Sequence, residues 1–340
     1  MQILKYPFSM LVIVFMLCFS FSAVSFAQNN AIDRIVTFGT SLSDAGNAFV
    51  ILSDPASFDL SEDCGLGVPI NKPPYDSLDI FLVPDGSYAK GGYHFSNGAT
   101  WIEQLARGKG LSGNTLPALR DEGVAASNYA VGGARANDHE CRFNLNNQLN
   151  AYLDSSPAIS DNTLFVLEMG GNDIRDALVA LSEGGDPIAV ISAALANINA
   201  AIESLSIAGA KRFLVVNAPA IGETPAVRIL DQIFPGSVFA ANSLTDAFNA
   251  GLMAIYSGWA GVPGVDMRLL DFHTLLDNII TEPASFSITN VEDACITPNI
   301  PPFQCLNPDT YLFWDGTHPT KVVHGIMAQK AAEVLMAPAP

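Results

Sequence analysis

The chain has few basic residues for its length. Lysine and arginine together number 16 in 340 residues, against 34 aspartates and glutamates, and the formal net charge is −18 at pH 7. No run of lysines or arginines interrupts this acidic composition. Because nucleic acids and anionic membranes attract basic surfaces, the composition argues against a nucleic-acid partner and favours a soluble chain.

Metal-binding motifs are also absent from the sequence, which contains neither CxxC nor HExxH. His139, Glu140 and Cys141 are adjacent, but a metal site needs a second pair of ligands. We therefore interpret this cluster as a solvated loop and predict no metal site. The sequence also lacks internal repeats and low-complexity tracts, so we expect one globular domain.

The N-terminal segment 1–27 has the features of a secretory signal peptide. It carries an early Lys5, a long apolar middle and a small residue, Ala27, at its end. We predict cleavage after Ala27, secretion or export to the periplasm, and a mature domain at 28–340. An uncleaved membrane anchor is the alternative, because 10–26 is almost long enough to span a bilayer. No later segment is predicted to span, so we expect no stable membrane insertion of the mature chain.

The sequence has only five cysteines, and Cys18 falls in the predicted signal peptide. The other four form an even number in an exported chain, which predicts disulfides, and four cysteines allow three pairings. Cys295 and Cys305 lie in a proline-rich stretch that cannot form a regular element, so we predict that they pair. Cys64 and Cys141 are then left to form the second bridge.

Short β-rich runs alternate with longer helical ones along the chain. The predicted strands are 34–38, 128–131, 163–168, 212–216 and 267–271, and the predicted helices are 99–106, 187–207, 240–257, 274–280 and 319–336. Apolar strands separated by helices predict an α/β fold with a parallel sheet covered on both faces. Ligands in such folds bind beyond the carboxyl ends of the strands.

Residues 48–96 interrupt this alternation. The segment is rich in proline, glycine, aspartate and aromatic residues, and it includes KPPYDSLDIF and GGYHFSNG. Loops of this length in a compact domain are usually functional or disordered. We predict an insertion beside the functional site, with a structural covering loop as the alternative.

Three predicted strands end in residues that suit acyl-transfer chemistry. Ser41 follows the first strand in GTSLSDAGN, the glycines of AVGGA follow the second, and Asn172 follows the third in MGGND. Each residue alone has a simpler interpretation as part of a turn. Together they provide a nucleophile, backbone N–H groups and a side-chain amide at one edge of the sheet.

The motif WDGTHPT, before the last predicted helix, can supply a base and its orienting carboxylate. Residues three apart in a turn can face each other, so Asp315 can accept from one ring nitrogen of His318 and leave the other for Ser41. We expect Pro319 to occupy the first helical position. A plain turn into a helix is the simpler interpretation, and His273, after the fifth strand, is the alternative base.

Taken in order, these motifs resemble the SGNH hydrolases, also called GDSL esterases and lipases, over 35–318. GTSLSDAGN resembles the nucleophile block, NYAVGGA and GGND resemble the two oxyanion blocks, and DGTH resembles the acid–base block. The resemblance implies a catalytic triad of Ser41, His318 and Asp315. It also implies an oxyanion hole formed by Ser41, Gly133 and Asn172.

The resemblance further implies a flavodoxin-like three-layer α/β/α sandwich, whose five-stranded parallel sheet has the order 2-1-3-4-5, with no metal and no organic cofactor. We expect a secreted serine ester hydrolase that acts on small-molecule or lipid acyl esters through an acyl-enzyme. A carbohydrate O-acetylesterase or an acyltransferase of the same family is the alternative. A catalytically silent binding protein on this scaffold is the alternative from another class.

One position departs from the family's pattern. The family usually has an aspartate directly before the nucleophile, and this chain has Thr40. A hydroxyl group can still form hydrogen bonds but brings no charge. We therefore expect altered electrostatics next to Ser41, with activity retained because the serine and both activating groups are present.

Overall fold

The computed structural model describes residues 31–53, 69–70, 83–84, 93–120, 126–155, 158–296 and 301–338. The predicted signal peptide, most of the predicted insertion and Cys64 lie outside the described residues. Ile32–Pro340 form one compact unit, which contains every element discussed below.

Strands and helices alternate along the described chain. The strands are β1 (Arg34–Gly39), β2 (Pro69–Ile70), β3 (Val83–Pro84), β4 (Thr163–Glu168), β5 (Arg212–Val216), β6 (Asp266–Leu270), β7 (Asn290–Ala294) and β8 (Tyr311–Phe313). The helices are α1 (Asn47–Ser53), α2 (Trp101–Gly108), α3 (Leu145–Asp154), α4 (Gly171–Ser182), α5 (Pro187–Ile207), α6 (Pro225–Ile233), α7 (Ser237–Ala260), α8 (Phe272–Thr281) and α9 (Lys321–Met336).

A parallel sheet with the order β1-β4-β5-β6 forms the middle layer. Its strands end in register, since Gly39 lies opposite Glu168, Glu168 opposite Val216, and Val216 opposite Leu270. The carboxyl ends therefore form one edge, from which the following loops emerge. β2 and β3 form a separate two-stranded pair, as do β7 and β8.

The predicted second strand lies along the free edge of β1. A parallel bridge joins Thr37 to Asn128, and the Tyr129 N–H donates to the Thr37 carbonyl at 2.8 Å. On its outer side a second parallel bridge joins Asn128 to Pro117, and the Asn47 side chain donates to the carbonyls of Asn128 and Ala130 at 2.8 Å each. The order 2-1-3-4-5 is thus confirmed, but the fifth member is a single bridge and not a full strand.

Helices cover both faces of the sheet. Alternate residues of a strand point to opposite faces of the sheet. The core cluster that contains Phe38 includes residues of α1, α3, α4, α5 and α7. The cluster that contains Ile35 includes residues of α2, α8 and α9. This arrangement confirms the predicted three-layer α/β/α sandwich. α6 stands outside both layers, above the carboxyl edge of the sheet, where it contacts α7.

Several predicted element ends differ from the structure by one to three residues, and two of these differences have a clear physical reason. α9 begins at Lys321, so Pro319 lies before the first helical position. The N-cap residue is Thr320, whose backbone is extended and whose hydroxyl donates to the Tyr311 carbonyl at 2.8 Å. β6 ends at Leu270, and Asp271 instead caps α8 by accepting from the Thr274 N–H. α1, α3, α4 and α6 are absent from the predicted helices, and β2, β3, β7 and β8 are absent from the predicted strands.

The expectation that no later segment could span a membrane is wrong for α5. Among the described residues, this helix is long and apolar enough to cross a bilayer by length and composition. The apolar residues of α5 also pack into the core, because one face of this helix lies towards the sheet. The buried residues of that face are Ile191, Ala194, Ile198, Ala201, Ile202 and Leu205.

Candidate active site

Three predicted site residues lie in one line of hydrogen bonds. The His318 Nε2 atom lies 2.8 Å from the Ser41 Oγ atom, and the His318 Nδ1 atom lies 2.7 Å from the Asp315 Oδ2 atom. Asp315 also accepts from the backbone N–H groups of Thr317 and His318 at 2.8 and 2.7 Å, so its carboxylate is fixed. With Nδ1 donating to Asp315, Nε2 presents its lone pair to the serine hydroxyl.

The HFSNG stretch holds the loop that carries His318. The Phe95 ring packs 5.3 Å from the His318 ring, centroid to centroid. The Ser96 hydroxyl donates to the Pro319 carbonyl at 2.9 Å, and the Asn97 Oδ1 atom accepts from the Lys321 N–H at 2.7 Å. The last residues of the predicted insertion therefore form part of the site.

The alternative base, His273, lies elsewhere. It belongs to the first turn of α8, and its ring nitrogens lie 3.8 Å from Asp246 and 3.5 Å from Asp277. The hydrogen bond to Ser41 comes from His318 instead.

The predicted oxyanion donors converge on the same cavity as Ser41 and His318. Within the described part of the chain, no acceptor takes the backbone N–H of Ser41 or of Gly133. Gly133 has a φ of +80°, a conformation that favours glycine. The Asn172 Nδ2 atom, in the first turn of α4, donates one hydrogen to the Ala134 carbonyl at 2.8 Å and retains a second.

A large apolar cavity of about 1030 Å³ opens from Ser41 and His318. Its walls come mainly from α4, α6 and the turn 234–236. Val179 on α4 is 47% exposed, and Ile233 and Phe234 at the end of α6 are 65% and 64% exposed. Exposed large apolar side chains grouped at one opening mark a binding surface for an apolar ligand.

The sequence pattern of the GDSL-like lipase/acylhydrolase family matches residues 35–331. The chain belongs to this family. It is 25% identical over 325 residues to the thermolabile hemolysin of Vibrio parahaemolyticus serotype O3:K6 (strain RIMD 2210633), covering 90% of this chain and 64% of that protein. It is also 25% identical over 338 residues to a GDSL esterase/lipase of Arabidopsis thaliana, covering 91% of both.

Among solved structures, a catalytic mutant of Axe2, an acetylxylan esterase from Geobacillus stearothermophilus, aligns with a TM-score of 0.45 and 12% identity. The alignment covers 90% of this chain and 94% of that chain. The GDSL-like lipases and acylhydrolases are carboxylic ester hydrolases, which agrees with the predicted enzyme class.

Thr40, the position that departs from the family's pattern, lies against a buried carboxylate that the sequence analysis did not single out. The Thr40 hydroxyl and backbone N–H both donate to Glu168, at 2.9 and 3.0 Å, and the Ser43 hydroxyl donates at 3.1 Å. Burial raises the pKa of Glu168 to about 7, although these hydrogen bonds and the charge of His318 oppose the rise. An acidic side chain at the end of β4 thus lies against the residue that precedes Ser41.

Asp44 ties the oxyanion loop to the turn that carries Ser41. Its carboxylate accepts from the backbone N–H groups of Gly46, Asn47 and Ala48 at the start of α1, and from the Gly132 N–H at 2.8 Å. Burial raises the pKa of Asp44 to about 6, and these four donors oppose the rise. The aspartate of SLSDAGN therefore links the turn that carries Ser41 to the loop that carries Gly133.

A disulfide joins Cys295 to Cys305 and lies next to the acid–base loop. The Cys295 N–H donates to the Phe313 carbonyl at 3.1 Å, two residues before Asp315. Cys141 is also disulfide-bonded. Its predicted partner, Cys64, lies outside the described residues.

No group of three histidine, cysteine, aspartate or glutamate side chains within the described ranges could hold a metal ion. The hydrogen-bonded line from Asp315 to Ser41 contains the acid–base and nucleophilic groups that ester hydrolysis requires.

Proposed function

We propose that the protein is an exported serine ester hydrolase that cleaves carboxylic esters with lipid-like acyl groups. The observation that carries the proposal is the line of hydrogen bonds from Asp315 through His318 to Ser41, open to an apolar cavity of about 1030 Å³. The predicted signal peptide and the Cys295–Cys305 disulfide support export, because disulfides persist in oxidising compartments.

In this proposal His318 takes the proton of the Ser41 hydroxyl through Nε2 as the oxygen attacks the ester carbonyl carbon. The resulting oxyanion accepts hydrogen bonds from the N–H groups of Ser41 and Gly133 and from the Asn172 amide. The imidazolium, held by Asp315, then returns its proton to the leaving alcohol. An acyl-enzyme remains, and His318 activates a water molecule that releases the acid and restores the serine.

The apolar walls favour a lipid-like acyl group over an acetylated sugar. Val179, Ile229 and Ile233 face the opening, and a sugar would need hydrogen-bonding groups in their place. The burial of methylene groups contributes about 0.8 kcal/mol each, so an acyl chain gains affinity with length in such a cavity. The proposed substrates are therefore medium- to long-chain acyl esters.

The test is the rate of hydrolysis across chromogenic esters of increasing acyl length. The wild-type protein should show a kcat/KM that rises from acetate to medium-length chains. Ser41→Ala should lower kcat by on the order of 10⁴-fold or more with circular dichroism unchanged. Ser257→Ala is the control, because that serine is exposed near the end of α7 and its hydroxyl donates only within its own helix, to the Met253 carbonyl at 2.8 Å.

Two results would contradict the proposal. Wild-type activity in the Ser41→Ala variant would show that Ser41 is not the nucleophile. A maximum rate on acetate esters would show that the substrate does not carry a lipid-like acyl group. Adding a long-chain alcohol to the assay would detect acyl transfer, which is the alternative reaction of the same acyl-enzyme.

A further inference from the structure

A buried glutamate holds the backbone directly before Ser41. Glu168 is the last residue of β4, lies opposite Gly39 in the sheet and is 5% exposed. It accepts the Thr40 N–H at 3.0 Å, and the Thr40 hydroxyl lies 2.9 and 3.0 Å from its two oxygens. Because the backbone and the side chain of Thr40 are both bound to one group, the direction of the peptide that leads into Ser41 is fixed.

A second residue of the same turn, Ser43, directs its hydroxyl hydrogen at this carboxyl group. The Trp101 Nε1 atom donates to the Ser43 oxygen at 3.0 Å, and an indole nitrogen can only donate. The Ser43 hydrogen is therefore left for the Glu168 Oε2 atom, 3.1 Å away. The same Oε2 atom receives the Thr40 N–H, so it faces two donors, an environment that suits an ionised carboxylate.

The close approach of this glutamate depends on Gly39. A Cβ atom at that position would stand 3.1 Å from the Glu168 Oε2 atom, which is tighter than ordinary contact. The buried Gln148 side chain accepts the Gly39 N–H at 2.9 Å and donates to the Gly39 carbonyl at 3.0 Å. Gly39 and Thr40 are thus each held by a buried side chain, and the next residue along the chain is Ser41.

The ionised form of Glu168 lowers the stability of the folded protein. Burial raises the pKa of Glu168 to about 7, so at pH 8 its carboxylate is less favourable in the folded chain than in the unfolded one. A glutamine has nearly the same shape, can accept the Thr40 N–H and carries no charge to bury. Stability at this pH therefore does not account for a glutamate here, and groups with such raised pKa values concentrate at functional sites.

The charge of Glu168 also acts on His318. The charge of His318 lowers the pKa of Glu168 against the effect of burial, so the carboxylate and the imidazolium attract each other. In the proposed reaction His318 becomes positive when it takes the proton of Ser41. A carboxylate at the end of β4 therefore favours the charge that develops in the transition state.

We propose that Glu168 is a positioning residue that supplies, from β4, the carboxylate that the family's pattern has directly before the nucleophile. The inference rests on the proposed function and deepens it. Glu168 acts through its charge and through Thr40, whose bound backbone fixes the direction of the Ser41 hydroxyl and N–H. Because the side chains of Thr40 and Glu168 are in contact, one carboxylate can belong to either position, and the two positions should be exchangeable as a pair.

The experiment exchanges the two positions. The variants are Glu168→Gln, Thr40→Asp and the double variant with both changes, and each is assayed at pH 8 on a short and a long chromogenic ester. Urea unfolding at the same pH gives the free energy of unfolding of each variant.

Glu103→Gln is the matched control, because Glu103 also accepts the N–H and the hydroxyl of a threonine. The donor is Thr100 at the start of α2, at 2.8 Å in both bonds. Although burial opposes the shift, hydrogen bonds from His94 and Thr100 lower the pKa of Glu103, so its charge stabilises the fold at pH 8. This variant should therefore lose stability and keep the wild-type kcat.

Glu168→Gln should lower kcat about tenfold on both esters with KM unchanged, as the loss of one charge-assisted interaction in the transition state implies. Its free energy of unfolding at pH 8 should equal or exceed that of the wild type, since no charge is buried. Thr40→Asp should lose more kcat and also stability, because two carboxylates then lie in contact. The double variant should recover most of the wild-type kcat, because the introduced amide can donate to the introduced carboxylate and still accept the backbone N–H.

A wild-type kcat in Glu168→Gln would overturn the proposal. Loss of kcat together with loss of stability at pH 8 would also overturn it and assign Glu168 a structural role. A double variant no more active than Thr40→Asp would show that the positions are not exchangeable and would overturn it as well. In each case, ester hydrolysis that disappears in Ser41→Ala would leave the proposed function standing. Failure of the wild-type protein to hydrolyse either ester would refute the proposed function and the positioning role with it.

Discussion

The floor of the cavity and its upper walls are built in opposite ways. The floor consists of the buried polar residues Thr40, Ser43, Asp44 and Glu168. The Thr40 and Ser43 hydroxyls donate to Glu168, and Asp44 accepts from backbone N–H groups such as that of Gly132. The walls are the apolar and partly exposed sides of α4 and α6. Buried polar networks tolerate few arrangements, whereas apolar contact is non-directional. The floor therefore fixes the positions of the reacting groups, and the walls select the acyl chain that binds above them.

Among the variants that compare the two regions, the largest effect is expected for the hydrogen-bonding residues around Ser41. Asn172→Ala should lower kcat by roughly 100- to 1000-fold, because it removes one oxyanion donor from a preorganised site. Steady-state kinetics on a short and a long ester measures it, and the loss should be equal on both. A normal kcat with a reduced melting temperature would instead assign Asn172 to the bond with Ala134.

The walls should respond in the opposite pattern. Ile229→Asn places an amide in the apolar wall and should lower kcat/KM on long-chain esters by about tenfold while acetate hydrolysis stays unchanged. Ile207→Asn is the matched control, because Ile207 is an exposed isoleucine at the end of α5. An equal loss on acetate would show that the wall also positions the reacting atoms.

Loss of the Cys295–Cys305 disulfide should lower activity, although the bridge closes only a short loop. Replacing both cysteines with serine should lower kcat severalfold, because the bridge braces the strand that leads to Asp315. The chain-entropy model adds a loss of roughly 3 kcal/mol in unfolding free energy. Activity and near-ultraviolet circular dichroism are followed during reduction, and activity should fall first. Full activity of the double variant would remove the bracing role.

The smallest expected effect is a change in how stability depends on pH. The pKa of Glu168 is raised from 4.5 to about 7, so its contribution to stability is complete below pH 4.5 and is lost as the pH rises through 7. Glu168→Gln should therefore lower the difference in unfolding free energy between pH 5 and pH 8 by about 1–3 kcal/mol. Urea unfolding measures it, with Glu183→Gln, an exposed residue after α4, as the control. An unchanged pH dependence in the Glu168→Gln variant would show that the pKa of Glu168 is not raised in the folded protein.

The sequence allowed the side chains of the candidate site to be predicted to lie together, because each belongs to a short local motif. Ser41 and Asn172 directly follow apolar strands, and Asp315 and His318 share one turn. Parallel strands bring their carboxyl ends together whatever the loops contain. The alternation of strands and helices predicted only a parallel sheet covered on both faces, and the order of its strands came from the resemblance to the SGNH hydrolases.

The parts that could not be predicted depend on contacts between distant segments. In the sequence, Glu168 is only an acidic residue that ends an apolar strand. Its place in the site depends on the hydrogen bond from Thr40, which lies 128 residues away. α6 was missed although Thr224 and Pro225 are a typical helix start, because the helix is short and lies outside both core layers.

The central claim is that Ser41 is the nucleophile of an ester hydrolase. The most direct measurement is labelling with a serine-reactive alkyl phosphonate, followed by peptide mass mapping. The account predicts one adduct per chain on Ser41, loss of hydrolysis in step with labelling, and no adduct in the His318→Ala variant under the same conditions. An adduct on Ser43 or on another residue, with hydrolysis lost in parallel, would contradict it.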